Sequence, residues 1–227
     1  MLPMQGGCWL CQSPLKLTSQ GLCSYCLRAL PPLPLCCPRC GLPASNSRVA
    51  CGRCLRRPPP WQHLVAVTDY RPPLSQLIAR HKFSGVTALS VMLARLILLS
   101  WLSAKRERGL PRPDLLLAVP LHRRRAWRRG FNQADLLARP LARWLRCAYR
   151  PNGLTRRRAG HVQHQLNAHA RRHNLRNAFR LEIAVRDRHI ALIDDVVTTG
   201  STVAEISRLL LHAGAASVQI WCLCRTL

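Results

Sequence analysis

From residue 63 onward the chain switches between two periods of apolar residues. HLVAVTDY (63–70), DLLLAVP (114–120), HIALI (189–193) and SVQIWCL (217–223) are short, nearly continuous apolar runs, the pattern of strands covered on both faces. Between them, PPLSQLIARHKF (72–83), VTALSVMLARLILLSWLSA (86–104), FNQADLLARPLARWLRC (131–147) around Pro140, and STVAEISRLLLHAG (201–214) repeat at helical spacing, the last stopped by Gly214. Strands alternating with helices predict an α/β fold, a mainly parallel sheet covered by helices that binds ligands along its carboxyl edge. The 86–104 run is nearly long enough to cross a bilayer, but Arg95 at its middle would cost about 2.5–3.5 kcal/mol there, so a helix packed inside the fold is expected.

Residues 1–60 show neither period. They contain no acid and few large apolar residues beyond scattered Leu and Trp9, too little to fold by burial alone. Four Cys-x-x-Cys pairs take the place of a core: Cys8 and Cys11, Cys23 and Cys26, Cys37 and Cys40, Cys51 and Cys54. A two-residue spacing lets both thiolates of a turn face one tetrahedral ion, and two such turns close a four-cysteine zinc site that supplies an apparent ~10–16 kcal/mol of folding free energy. Sequential pairing (8, 11, 23, 26 and 37, 40, 51, 54) encloses loops of 11 and 10 residues. A cross-braced arrangement closes longer loops at a somewhat greater entropic cost. Cys36 has no partner at ligand spacing, and Cys147, Cys222 and Cys224 read as small core residues.

These features divide the chain into a double zinc ribbon (1–56), a proline-rich linker (57–62) whose RRPPPW (56–61) stretch forbids helix, and a larger α/β domain (63–227). No basic segment followed by an apolar one precedes the first cysteines, so a cytoplasmic protein with two structural zinc ions and no transmembrane segment is expected.

Charge changes the picture next. Lys plus Arg number 35 against 9 Asp plus Glu, a net +26, and 32 of the 35 are Arg, the residue that pairs with phosphate in bidentate fashion and stacks on bases. Codon bias accounts for part of this excess but not for its distribution, because Leu121–Arg180 holds 16 Arg and a single acid, whereas 181–227 holds four Arg and five acids. Arg123, Arg124, Arg125, Arg128 and Arg129, with Arg156, Arg157, Arg158, Arg171 and Arg172, form a candidate path for single-stranded DNA, and Trp127 and Phe131 are interleaved as candidate stacking residues.

Against this background IALIDDVVTTGST (190–202) is unusual, since it sets two of the nine acids side by side at the end of an apolar run. Neighbouring buried carboxylates need donors or a cation. Beyond them Gly200 allows close approach of backbone, and Thr198, Thr199, Ser201 and Thr202 offer hydroxyls beside the unpartnered amides of a helix start, a candidate anion cradle. The stretch lacks the lysine and glycine spacing of a Walker loop. Asp194 and Asp195 suit vicinal hydroxyls of a sugar whose phosphate sits in the loop.

This segment resembles the phosphoribosyl pyrophosphate (PRPP) motif of the type I phosphoribosyltransferases. With the cysteine array, AVPLHRRRAWRRGFNQADLLA (118–138), QHQLNAHARRHNLRNAF (163–179) and the ending WCLCRTL, the chain resembles the ComF family over its full length. The resemblance implies a type I phosphoribosyltransferase-like parallel sheet with an N-terminal double zinc ribbon, and a role in DNA utilisation, uptake and natural competence alongside protein partners of uptake or recombination. It implies that Asp194 and Asp195 hold the ribose of PRPP, that Thr198, Thr199, Gly200, Ser201 and Thr202 surround its 5′-phosphate, and that the Val119–His122 turn meets pyrophosphate, bridged to the ribose by Mg²⁺. Thr198 stands where relatives acting on 6-oxopurines carry an acid, which disfavours an oxopurine substrate.

Two functions follow. The first is a protein that binds single-stranded DNA through the Arg-rich surface and PRPP at the phosphoribosyltransferase-like site. The alternative is an active phosphoribosyltransferase that releases pyrophosphate to an unidentified acceptor, for which the sequence offers no identifiable catalytic base or nucleophile. A PRPP-sensing transcription factor lacks a helix-turn-helix signature.

Overall fold

The computed structural model describes residues 6–121, 130–157 and 178–226. Five strands form one sheet in the order β1 (His63–Asp69), β7 (Ser217–Arg225), β6 (His189–Val197), β2 (Leu115–Ala118) and β3 (Ala148–Tyr149). Every neighbouring pair is parallel. A second, two-stranded antiparallel sheet joins β4 (Leu154–Arg156) to β5 (Phe179–Leu181); neither strand, nor the short β3, is legible as a hydrophobic run.

The helices fall where the periodicity places them: α3 (Leu74–Phe83), α4 (Leu89–Arg108), α5 (Gln133–Leu145) and α6 (Ser201–His212). They follow two short ones in the cysteine region, α1 (Ser24–Arg28) and α2 (Gly52–Arg56). In α5 the Asn132 side chain accepts from the amide of Ala134 (3.1 Å), satisfying one orphan donor of the first turn, and Pro140 is accommodated inside the helix. Among the described residues no helix is long and apolar enough to cross a membrane, and Arg95 donates to the carbonyl of Gln20.

Two apolar layers sandwich the sheet. On one side α3, α4 and α5 supply Leu77, Leu93, Ile97 and Leu141 against Ala191, Ile193 and Trp221; on the other α6 supplies Val203, Ile206 and Leu210 against Ile190, Leu192 and Ile220. All nine residues of β7 are buried, as expected for a central strand covered on both faces. Its one amide side chain is satisfied: Gln219 accepts from the indoles of Trp101 (3.2 Å) and Trp221 (3.1 Å) and donates to Pro111 O (2.7 Å). Unpaired, that amide would cost about 1–3 kcal/mol in the core.

The cysteine region is docked directly on this sandwich. Leu15, Leu22, Cys8 and Cys26 join the core beneath α4, where Gly21, at φ +69°, brings its backbone onto Met92 so closely that a Cβ would lie 2.3 Å from Met92 Cγ. The segment leading into the second cysteine set and the first turn of that set cover the outer edge of β1, with Leu64 N–H donating to Pro38 O (2.9 Å) and Thr68 Oγ1 to Pro31 O (2.8 Å). An edge strand that would otherwise be open to pairing is thereby partly closed. The proline stretch ends on Trp61, which is buried and donates to Arg39 O (2.6 Å).

Candidate functional site

The eight cysteines assemble into two sets in sequential pairing, Cys8, Cys11, Cys23, Cys26 and Cys37, Cys40, Cys51, Cys54, with the sulfurs of each set within 4.8 Å of one another. The sets are structural copies. A bridge between Gly7 and Pro14 has its counterpart between Cys36 and Pro43, and left-handed Gln12 (φ +61°) corresponds to Gly41 (φ +69°). Cys23 N–H donates to Cys8 Sγ (3.4 Å) just as Cys51 N–H donates to Cys37 Sγ (3.3 Å). Within the first set the Ser13 hydroxyl and amide pull Cys11 down to about 6, while burial and the neighbouring thiols push Cys26 up to about 12. Four such thiols cannot ionise together unless a cation sits among them. Donor number, softness and backbone N–H support therefore fit structural zinc at both sites. Cys222 and Cys224 are buried in β7, and Cys147 is half-buried, as expected for packing residues.

The second site lies at the carboxyl edge of the sheet. From β2 the chain continues to β3 on one side, and from β6 to β7 on the other, so β2 and β6 flank the topological switch point of the sheet, the place where open α/β sheets bind ligands. Val119, Asp194 and Asp195 meet there, with Val119 N–H donating to Ile193 O (2.9 Å) and its carbonyl accepting from Asn132 Nδ2 (3.1 Å). One expectation is corrected: β6 does not stop before the acid pair but runs through it to Val197. Strand alternation consequently sends the two carboxylates to opposite faces.

Asp195 faces α3 and forms an ion pair with Lys82 (2.9 Å), both side chains largely sheltered from solvent. Asp194 retains some exposed surface but is closely surrounded by protein; burial first, and the Asp195 charge second, push its carboxyl up to about 8, against the lowering effect of the Asp195 amide it accepts from (2.8 Å). The doublet at rest is therefore one ion-paired carboxylate and one carboxyl inclined to hold its proton.

Beyond Val197, Thr198 and Thr199 are exposed, and Gly200 turns at φ +76° into α6. Thr199 Oγ1 lies 2.9 Å from Ser201 Oγ and accepts from Ser201 N–H (3.3 Å). No acid occupies the first turn of α6, where Thr202 follows Ser201, so the positive end of the helix is left uncompensated. Two residues that sequence reading missed hold this loop. Trp61 lies beneath Gly200, where a Cβ would come within 3.3 Å of its ring. Arg225, 6% exposed, donates to Val197 O (3.1 Å) and Thr198 O in the loop and to Cys40 O (3.0 Å) in the second cysteine set.

Of the Arg-rich group, Arg156 and Arg157 lie at the two-stranded sheet, where Arg156 sits over the Phe179 ring (5.4 Å). Arg123, Arg124, Arg125, Arg128, Arg129, Arg158, Arg171 and Arg172, with Trp127 and His122, fall outside the described residues. Phe131 is half-buried against His81 (6.0 Å between centroids) instead of being turned outward for stacking. Lys82 carried a faint signal in the sequence, as one of only three lysines in an arginine-rich chain.

Comparison with known proteins agrees with this architecture. Residues 128–227 match the family described as Phosphoribosyl transferase domain. The chain is 57% identical over 227 residues to DNA utilization protein YhgH of Escherichia coli K12, covering all of both chains. It is 41% identical over 221 residues to Competence protein F of Haemophilus influenzae, covering 96% of each. The chain belongs to the ComF family. Among solved structures, this ComF-family protein is similar to the allosteric regulatory enzyme of purine biosynthesis (TM-score 0.37, 19% identity, 57% of this chain and 24% of that one). It is also similar to a hypoxanthine phosphoribosyltransferase of Staphylococcus aureus (TM-score 0.36, 12% identity, 59% and 62%). Its phosphoribosyltransferase-like α/β sheet is thus joined to paired four-cysteine sites of the double zinc-ribbon kind.

Proposed function

We propose that this ComF-family protein binds PRPP with Mg²⁺ at the carboxyl edge of its sheet and handles single-stranded DNA through its arginine-rich surface, in the cytoplasm and in the service of DNA utilisation or uptake. The observation that carries the reading is the switch point between β2 and β6, where a carboxylate pair near the end of β6 precedes the loop into an acid-free helix start. Asp194 and Asp195 would accept hydrogen bonds from the ribose hydroxyls. The residues from Thr198 to Thr202 would surround the 5′-phosphate with amides and hydroxyls. Among the described residues the clusters of three or more metal-ligating side chains are the two cysteine sets, so Mg²⁺ would arrive on the pyrophosphate of its ligand, as Mg²⁺ commonly does. The ion would neutralise charge on that pyrophosphate. The chain's own groups hold and orient the sugar, and Lys82 keeps Asp195 paired until they do.

The two zinc-ribbon units (1–56) and the 63–227 domain would work as one body, since the second unit grips the loop through Arg225. The names of the E. coli and H. influenzae relatives support a role in DNA utilisation and competence. Isothermal titration calorimetry of the zinc-loaded protein with PRPP and Mg²⁺ tests the pocket. Heat with the wild type and none with Asp195→Asn is expected, and no heat with the wild type would refute it. Pyrophosphate release during the same titration, with oligonucleotide or free bases present, would mark the protein as an active transferase.

A further inference from the structure

A cleft of about 1170 Å³ opens between the second cysteine unit and α6, and its floor is the loop at Thr199–Ser201. One wall carries Arg53, Arg56 and Arg57, all exposed, and none of the three side chains has a hydrogen-bonding or ionic partner among the described residues. The facing wall is α6, with Arg208 and His212. The one acid lining the cleft, Glu205, is already paired to Arg208 (3.0 Å). Arg53 lies beside the zinc–thiolate set, which offsets part of its charge, whereas Arg56 and Arg57 lie beyond it and leave this wall positive, suited to an anion.

Shape bears on which anion. At about 1170 Å³ the cleft stands at the upper end of ordinary small-ligand sites, roughly 300–1,000 Å³, so its length and charge carry more than its volume. It follows α6 from Ser201 to His212, about 16 Å at about 1.5 Å per residue, whereas a strand in B-form geometry presents a phosphate about every 3.4 Å. Pro58–Pro60, whose φ angles are fixed, line the cleft directly after the arginines and stiffen that stretch of backbone. Phe179, the ring under Arg156, also lines the cleft, so the described part of the arginine-rich group abuts it.

We infer that this cleft is the track for the sugar-phosphate backbone of a single strand, held by Arg53, Arg56 and Arg57 and led along α6 to the phosphate loop. The inference rests on the reading that the protein handles single strands and adds the place where it does so. The second cysteine unit then has a task beyond stability, because it supplies the arginine wall.

The test uses the full zinc-loaded chain and a fluorescent oligo(dT) of about fifteen nucleotides, within the usual site size of strand-binding folds. Arg56→Glu combined with Arg57→Glu should weaken binding at least tenfold and lower the log–log salt slope by about 1.4, about 0.7 for each phosphate that is no longer neutralised. The paired Arg→Lys variant should keep most of the affinity, and PRPP heats should not change. Independently of any variant, the oligonucleotide should slow hydrogen exchange at 52–57 and 201–212 in the wild type. Unchanged strand binding by the Glu variant, or no protection at those segments, overturns the cleft and leaves strand handling standing elsewhere on the molecule. Absence of wild-type binding removes both. Displacement by inorganic pyrophosphate, with no gain in affinity from about five to about fifteen nucleotides, would make this a small-anion site and overturn the strand.

Discussion

Replacing Arg225 with alanine should uncouple the second cysteine unit from the phosphate loop. The guanidinium is buried and donates to four carbonyls: Cys40 in the cysteine unit, Val197 and Thr198 at the end of β6, and Thr226 beside it. A hydrogen bond from a charged donor contributes about 1.5–3 kcal/mol, the contributions of one group are not additive, and alanine leaves buried acceptors without a donor. A destabilisation of about 3–4 kcal/mol is expected, in the range seen when one member of a buried polar network is removed. Urea unfolding of the zinc-loaded protein at constant m-value measures it. Lysine at the same position retains the charge but not the planar fork that reaches both chain segments, and should recover no more than about half. The loss should reach the pocket as well, with PRPP affinity at least tenfold weaker in the alanine variant under conditions where it is still folded. A change below about 0.5 kcal/mol with PRPP binding intact would show that the ribbon and the loop do not depend on this side chain.

Other consequences can be checked separately. Gly21→Ala places a Cβ against Met92 at a positive φ, so it should cost at least about 2 kcal/mol in the same urea assay, whereas Gly52→Ala, with open space around it, should be close to neutral. Lys82→Met leaves a largely sheltered Asp195 without its cation and should destabilise the fold by at least about 1 kcal/mol in urea unfolding, with Lys82→Arg retaining more of the stability. The raised Asp194 carboxyl gives a signed pH dependence. The folded state holds that proton more tightly than the unfolded chain, so the associated stability is complete below the ordinary carboxylate range near pH 4 and is lost as pH rises through about 8. Asp194→Asn should remove this slope, gaining on the wild type between about pH 5 and pH 8.5 in urea unfolding; parallel curves would refute the assignment.

The main strands and helices were legible because each has a single period and the sheet is buried on both faces, so that β7, for example, reads as an unbroken apolar run. The eight ligand cysteines were legible from their spacing, which favoured sequential over cross-braced pairing only by a small difference in loop entropy, and the acid doublet with its glycine-relieved turn marked the carboxyl edge. What sequence did not disclose depends on contacts between distant segments. Nothing local to Lys82 announces that it meets Asp195, and Arg225 lies in a strand whose pattern offers no reason for a cation. The extent of β6 escapes a sequence reading because two adjacent acids look like the end of a strand, whereas the Lys82 ion pair and the Asp195–Asp194 hydrogen bond let the ladder continue through them. The β4–β5 pair escapes it too, because three-residue strands carry too few side chains to show alternation.

The doubled cysteine unit has a consequence for how this chain can vary. Its two copies share their turns but not their neighbours: the turn at Gln12 carries a side chain, whereas a Cβ at Gly41 would lie 2.6 Å from Leu64 Cδ2. Exchange between the copies is therefore asymmetric: glycine fits the first turn, whereas a side chain in the second would first have to displace the buried end of Leu64. Two clasps of one design thus differ in what each tolerates, because each is pressed against a different surface.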